Sequence, residues 1–109
     1  LRRLQLPVKI IIMDNMYLGM VRQWQELFFE QRYSAVDLSD NPDFAALARV
    51  YGITTVTLSQ RERIAQDLAT WWEAPGPALL HCLCHTEDNV YPMVPAGAAL
   101  GEIMEADAQ

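Results

Sequence analysis

Apolar and polar positions along this chain follow two different rhythms, and the switches between them predict its elements. Residues 8–13, V-K-I-I-I-M, are nearly continuous in β-favouring apolar types with Lys9 the one exception. That pattern predicts a strand covered on both faces in a parallel sheet. Tyr17, Met20, Val21, Trp24, Leu27 and Phe28 then recur at helical spacing and predict a helix with one apolar stripe. Core packing accounts for Leu27 and Phe28, whereas Met20, Val21 and Trp24 lie near the strand end and can line a pocket. Asn41, Pro42 and Asp43 read as a helix start, with Asn41 as cap and Pro42 at the first helical position. Phe44, Leu47, Ala48 and Tyr51 make the expected inner face, and Gly52 the expected C-terminal cap. Residues 53–58 are rich in β-branched types and predict a second strand. Ser59 with Glu62 predicts a capping box that opens a third helix on Ile64, Leu68, Trp71 and Trp72. Pro75-Gly76-Pro77 stops that helix. Residues 78–84 form a third strand, and the proline-punctuated stretch 91–97 reads as an ordered, irregular segment laid over the body of the fold.

Strand, helix, helix, strand, helix, strand predicts an α/β class: a parallel sheet with flanking helices and right-handed crossovers. A single compact unit over residues 1–101 is expected, followed by a frayed tail over 102–109. In open α/β sheets ligands sit beyond the carboxyl ends of the strands, which directs attention to Asp14 and Asn15. An Asn amide oxygen and the carbonyls of a tight turn are hard donors that suit magnesium. Either residue could instead cap the following helix, and spacing leaves both roles open.

Composition narrows the field. The chain has 109 residues, 51% of them hydrophobic, which is one domain's worth of core. Eight basic against fourteen acidic residues give a formal charge of -6, which opposes phosphate neutralisation and argues against nucleic acid as a partner. The longest wholly apolar run near the N-terminus, residues 10–13, falls far short of the ~20 needed to span a bilayer, so no membrane role is expected. Cys82 and Cys84, two apart, favour a reducing compartment over a disulfide framework. His81, Cys82, Cys84 and His85 crowd four potential zinc ligands together. Strand alternation points His81 and His85 to one face and the cysteines to the other, which argues against zinc. Arg61, Glu62, Arg63 and Asp67 read as a solvated helix face, while Arg32 and Tyr33 fit either a core or an interface.

The run D-N-M-Y-L-G-M-V-R-Q-W-Q-E-L-F-F from Asp14, with R-Y-S from Arg32, N-P-D-F from Asn41 and Y-P-M-V-P-A-G from Tyr91, resembles the carboxyl-terminal part of the catalytic large subunit of acetohydroxyacid (acetolactate) synthases. Order and spacing match over essentially the whole chain. The resemblance implies a C-terminal fragment of a thiamine-diphosphate-binding fold. It also implies decarboxylation of pyruvate and transfer of the two-carbon unit to a second 2-keto acid in branched-chain amino-acid biosynthesis. Carried over by motif, Asn15 and the Tyr17 backbone carbonyl hold magnesium, Asn15, Tyr17, Leu18, Gly19 and Met20 bind the cofactor, and Met20, Val21 and Trp24 shape the second-substrate pocket. Asp14 stands where many members have Asn; the second residue of the pair is the ligand. The family's Gly-Asp-Gly, its activating Glu and its FAD domain have no counterpart in these residues. The chain is therefore expected to be a fragment, inactive alone and without catalytic residues of its own. A homodimer, a regulatory subunit and a cytoplasmic setting, organellar in a eukaryote, are further implications. The alternatives are another thiamine-diphosphate decarboxylase or ligase, which V-R-Q-W and Y-P-M-V-P disfavour, and a non-catalytic α/β assembly module or truncated gene product.

Overall fold

The computed structural model describes residues 1–106. Its elements run β1 (Lys9–Asp14), α1 (Gly19–Phe28), α2 (Phe44–Val50), β2 (Thr54–Leu58), α3 (Ile64–Glu73) and β3 (Ala78–Leu83), the expected order. The chain divides into two compact units where one was expected. Leu1–Tyr17 with Asp37–Thr86 forms the first, and Leu18–Val36 with the described residues from Glu87 onward forms the second. The physical reason is that α1 hydrogen-bonds to the segment after Glu87, far along the chain.

The first unit is a three-stranded parallel sheet in the order β1-β3-β2, with Lys9 and Thr54 both in register with Ala78. Central β3 is buried from Ala78 through Cys82. Ala78, Leu80 and Cys82 pack against Trp71 of α3, and on the opposite face His81 meets the ring of Phe44 of α2 edge-on at 5.6 Å. Strand alternation thus puts the two helices on opposite faces of the sheet.

Several local expectations are corrected by packing. β1 is an edge strand, and Ile11 and Met13, the latter 69% exposed, are not covered. Lys9 has a role after all: its ammonium donates to the carbonyls of Ala74 (2.6 Å) and Gly76 (3.5 Å), where a cation complements the end of α3. The cap of α2 is Asp43, whose carboxylate accepts the Ala46 N–H at 2.8 Å, not Asn41. The buried residues of α2 are Ala45 and Ala48, whose small side chains allow close approach to the sheet, while Leu47 and Tyr51 turn outward. Gly52 ends the helix as expected: at φ +66 it donates to Arg49 while Ile53 donates to Ala48, a Schellman pattern. The Ser59–Glu62 box does not form, because residues 61–63 fold into a 3-10 turn and α3 begins only at Ile64 without a side-chain cap. Inside α3 the buried pair is Asp67 and Trp71. Trp71 goes inward because its indole N–H reaches the Ala78 carbonyl at 3.2 Å, leaving Trp72 68% exposed. Asp67, expected on a solvated face, is buried and paired with Arg63 at 3.3 Å.

In the second unit α1 is turned against its own pattern. Arg22 and Gln23 are its buried residues, whereas Met20, Val21, Trp24 and Phe28 are exposed; Phe28 is therefore not the core residue expected, and Leu27 is only partly buried. Gln23, 1% exposed, donates to the Val90 carbonyl (3.0 Å) and accepts the Val90 N–H (2.9 Å). Arg22 bonds Glu26 at 2.8 Å and lies over the Tyr33 ring at 5.0 Å. Gln25 clamps Ser34 by the same two-way amide bonding. Met93 and Met104 exchange backbone bonds, and the Glu102 carboxylate accepts the Ala99 N–H at 2.7 Å. The expected tail begins inside this segment, and its last three residues lie outside the described ones.

Leu80→Ala should cost about 2–5 kcal/mol through the cavity left in β3, read by urea denaturation; a loss as small as that of Met13→Ala would contradict the assigned core. The uncovered face and open edge of β1 should also make the 109-residue chain self-associate. Sedimentation should show this suppressed in an Ile11→Glu/Met13→Glu variant, and a monodisperse parent would count against it.

Candidate functional site

The end of β1 folds into two consecutive Asx turns. The Asp14 carboxylate accepts the Met16 N–H through Oδ1 at 2.9 Å, and the Asn15 amide oxygen accepts the Tyr17 N–H at 3.2 Å. Asp and Asn favour this geometry because their short side chains reach the backbone two residues on. Met16 is held at φ +59, a left-handed conformation that costs a non-glycine residue about 1–2 kcal/mol. A bridge between Tyr17 and Asp37, with Leu38 donating to Met16 at 2.9 Å, closes the turn on its far side. Neither Asp14 nor Asn15 acts as a helix cap here: the residue at the start of α1 is Leu18, without a side-chain cap bond.

The other oxygen of Asp14 forms the contact that sequence reasoning missed. Oδ2 lies 2.8 Å from His81 Nε2, with both side chains about one-tenth exposed. An ionised carboxylate can only accept, so Nε2 carries the proton of this bond. The partners are 67 residues apart, and the single usable signal was that His81 had to share a face with Leu83, the residue in register with Asp14. The pair borders a cavity of about 360 Å³ at the carboxyl ends of the strands, where Thr57, Asp43 and Arg49 also stand. Cys82 faces the Trp71 core instead, and burial pushes its thiol up, which favours the protonated, unreactive form.

Within the second unit, Met20, Val21 and Trp24 line one cavity of about 680 Å³ together with Gln25, Phe29 and Arg32. Trp24 is steadied by an edge-on contact with Phe28 at 5.6 Å. The outward apolar stripe of α1 is thus the wall of a concave surface. Arg32 belongs to that wall, and Tyr33 to the stack on Arg22. Of the expected cofactor residues, Asn15 and Tyr17 stand in the turn of the first unit, whereas Leu18, Gly19 and Met20 open α1 in the second. Among the described residues no three His, Cys, Asp or Glu side chains gather as a metal cluster, and no helix is long and apolar enough to cross a membrane.

Comparison with known proteins bears on these features. The C-terminal TPP binding domain of thiamine pyrophosphate enzymes matches residues 1–82. The acetolactate synthase isozyme 2 large subunit of Escherichia coli (strain K12) is 46% identical over 104 residues, 95% of this chain and 19% of that protein. The acetolactate synthase large subunit of Parasynechococcus marenigrum is 44% identical over 91% of the chain and 16% of its own length. The mitochondrial acetolactate synthase of Schizosaccharomyces pombe is 40% identical over 94% of the chain and 15% of its own length. The chain therefore spans less than a fifth of each of these relatives.

Asp14 also has a stability signature. The His81 hydrogen bond first, and the Met16 N–H second, hold its carboxyl below the usual carboxylate value of 3.8. A folded pKa below the unfolded one contributes stability that is present above the unfolded value and lost as pH falls through the folded value. Asp14→Asn should flatten that acid-side loss in melts taken between about pH 6 and 2; an unaltered acid limb would contradict the assigned pairing.

Proposed function

We propose that this chain, which belongs to the thiamine pyrophosphate enzymes through their C-terminal TPP binding domain, forms a carboxyl-terminal part of the thiamine-diphosphate-binding domain of an acetolactate synthase catalytic subunit. The supporting observation is the double Asx turn that carries Asn15 and Tyr17 at the carboxyl end of a parallel strand. It coincides with the D-N-x-x-x-G-M-V-x-Q-W pattern. The relatives named above are themselves acetolactate synthases. In this reading two 2-keto acids are the substrates, the first losing carbon dioxide and the second receiving its two-carbon unit.

The residues present fit a magnesium-diphosphate group. Asn15 Oδ1 accepts one N–H, and an amide oxygen has a second lone pair to offer a hard cation. The Tyr17 carbonyl is the second proposed donor, a role any side chain tolerates. In the second unit, taken by itself, the N–H groups that open α1 lack a side-chain cap, a property that favours an anion. Gly19 at that start gives close access for a bound group. Thiamine diphosphate, when bound, supplies the carbon–carbon bond chemistry, and the protein supplies position and electrostatics. Met20 flanks the cofactor, and Val21 with Trp24 forms an apolar wall that excludes water and measures the second keto acid. FAD, the Gly-Asp-Gly and activating Glu, a second catalytic subunit and a regulatory subunit complete the proposed enzyme outside this chain.

The 109 residues alone should form no acetolactate and bind thiamine diphosphate with magnesium only weakly. Calorimetry checks this, and micromolar affinity would show that the Gly-Asp-Gly outside this chain is dispensable for binding. In the full-length subunit, Trp24→Leu should erase most of the preference for 2-ketobutyrate over pyruvate as second substrate. One methylene in a shaped pocket is worth about 1–3 kcal/mol, roughly 10 to 200-fold. Acetolactate formation should largely persist, since the change spares the magnesium donors. Competition between the two acids reads the ratio, and an unchanged ratio rules the pocket role out.

A further inference from the structure

A side-chain bond ties the turn that bears Asn15 to the interior of β3, the contact of Asp14 with His81. His81 stands on the most buried strand, 8% exposed and packed edge-on against Phe44, so its imidazole has little freedom to move. Asp14 uses both oxygens: Oδ2 meets His81 Nε2 at 2.8 Å while Oδ1 holds the Met16 N–H at 2.9 Å. The second bond maintains Met16 at φ +59, a conformation that persists only where its surroundings over-determine it. Because Met16 separates Asn15 from Tyr17, its backbone angle sets the spacing between the Asn15 amide oxygen and the Tyr17 carbonyl. An Asn at position 14 offers a single acceptor oxygen, whereas the carboxylate serves the turn and the sheet at once.

We propose that His81 is a positioning residue for divalent-cation binding: through the Asp14 carboxylate it locks the turn that carries Asn15 and Tyr17. This rests on the assignment of those two residues as magnesium donors. It adds to that assignment a residue on a different strand, touching neither the cation nor the cofactor. Groups that orient metal ligands from behind are typically worth about 10 to 100-fold in metal affinity.

The test uses the full-length subunit with thiamine diphosphate and manganese as a spectroscopic substitute for magnesium, the bound ion being counted by electron paramagnetic resonance. His81→Leu should weaken manganese binding about 10-fold or more, while His81→Gln, whose amide N–H lies near the place of Nε2, should restore it to within about threefold of the parent. Hydrogen exchange at the Met16 and Tyr17 amides, measured without metal, should quicken in His81→Leu and not in His81→Gln. Should His81→Leu not fold, Asp14→Ser carries the test. Its hydroxyl still accepts the Met16 N–H but cannot reach His81, so the same loss of about 10-fold is expected. Parental affinity in whichever of these variants folds, or equal impairment in His81→Gln and His81→Leu, overturns the inference. Asn15→Ala separates the two layers. If it abolishes manganese binding while His81→Leu leaves it intact, the positioning role fails and the donor assignment stands. If it has no effect, both fall.

Discussion

Everything in the first unit is referred to β3, because a strand hydrogen-bonded on both edges and covered on both faces has no freedom to shift register. A slip of one residue would exchange Leu80 and His81 between faces. One face would then bury an imidazole against Trp71, and the other would lose the partner of Asp14. The parallel pairing of β1 and β2 to the same residues of β3 therefore fixes where the turn after Asp14 emerges. It also fixes which side chain stands behind that turn.

From that constraint follows the division of labour at the strand end. Polar side chains in the turn are spent on backbone geometry: Asp14 and Asn15 each capture an N–H two residues on. The proposed magnesium donors of this turn are an amide oxygen and a carbonyl rather than carboxylates, hard oxygens of the kind that such an ion takes.

The second unit inverts the ordinary reading of an amphipathic helix. Its apolar stripe is exposed, and Arg22 and Gln23 are buried, each with its polar atoms bonded or paired. Burial of polar side chains is tolerable only with such partners. The two-way bonding of Gln23 to Val90 and of Gln25 to Ser34 supplies them while tethering segments that lack regular structure. The exposed stripe is then left as the wall of the cavity at Met20, Val21 and Trp24.

Local structure was legible from the residues alone. The six elements and their order, the Gly52 cap, the Pro75-Gly76-Pro77 stop and the parallel α/β class all follow from periodicity and turn residues. The motif beginning at Asp14 directed attention to the strand end, and the likeness to acetolactate synthases rested on residue identities spread along the whole chain. Which side of each element faces inward was decided only by tertiary contacts. Ala45 replaced Leu47 because a small side chain lets α2 approach the sheet, Trp71 prevailed over Trp72 because only its indole finds a carbonyl, and Arg22 with Gln23 displaced the apolar stripe because distant segments satisfy them. The Asp14–His81 bond belongs to the same group. Periodicity records a residue's neighbours within a few turns, whereas burial and pairing depend on partners brought close by folding, here from 67 positions away.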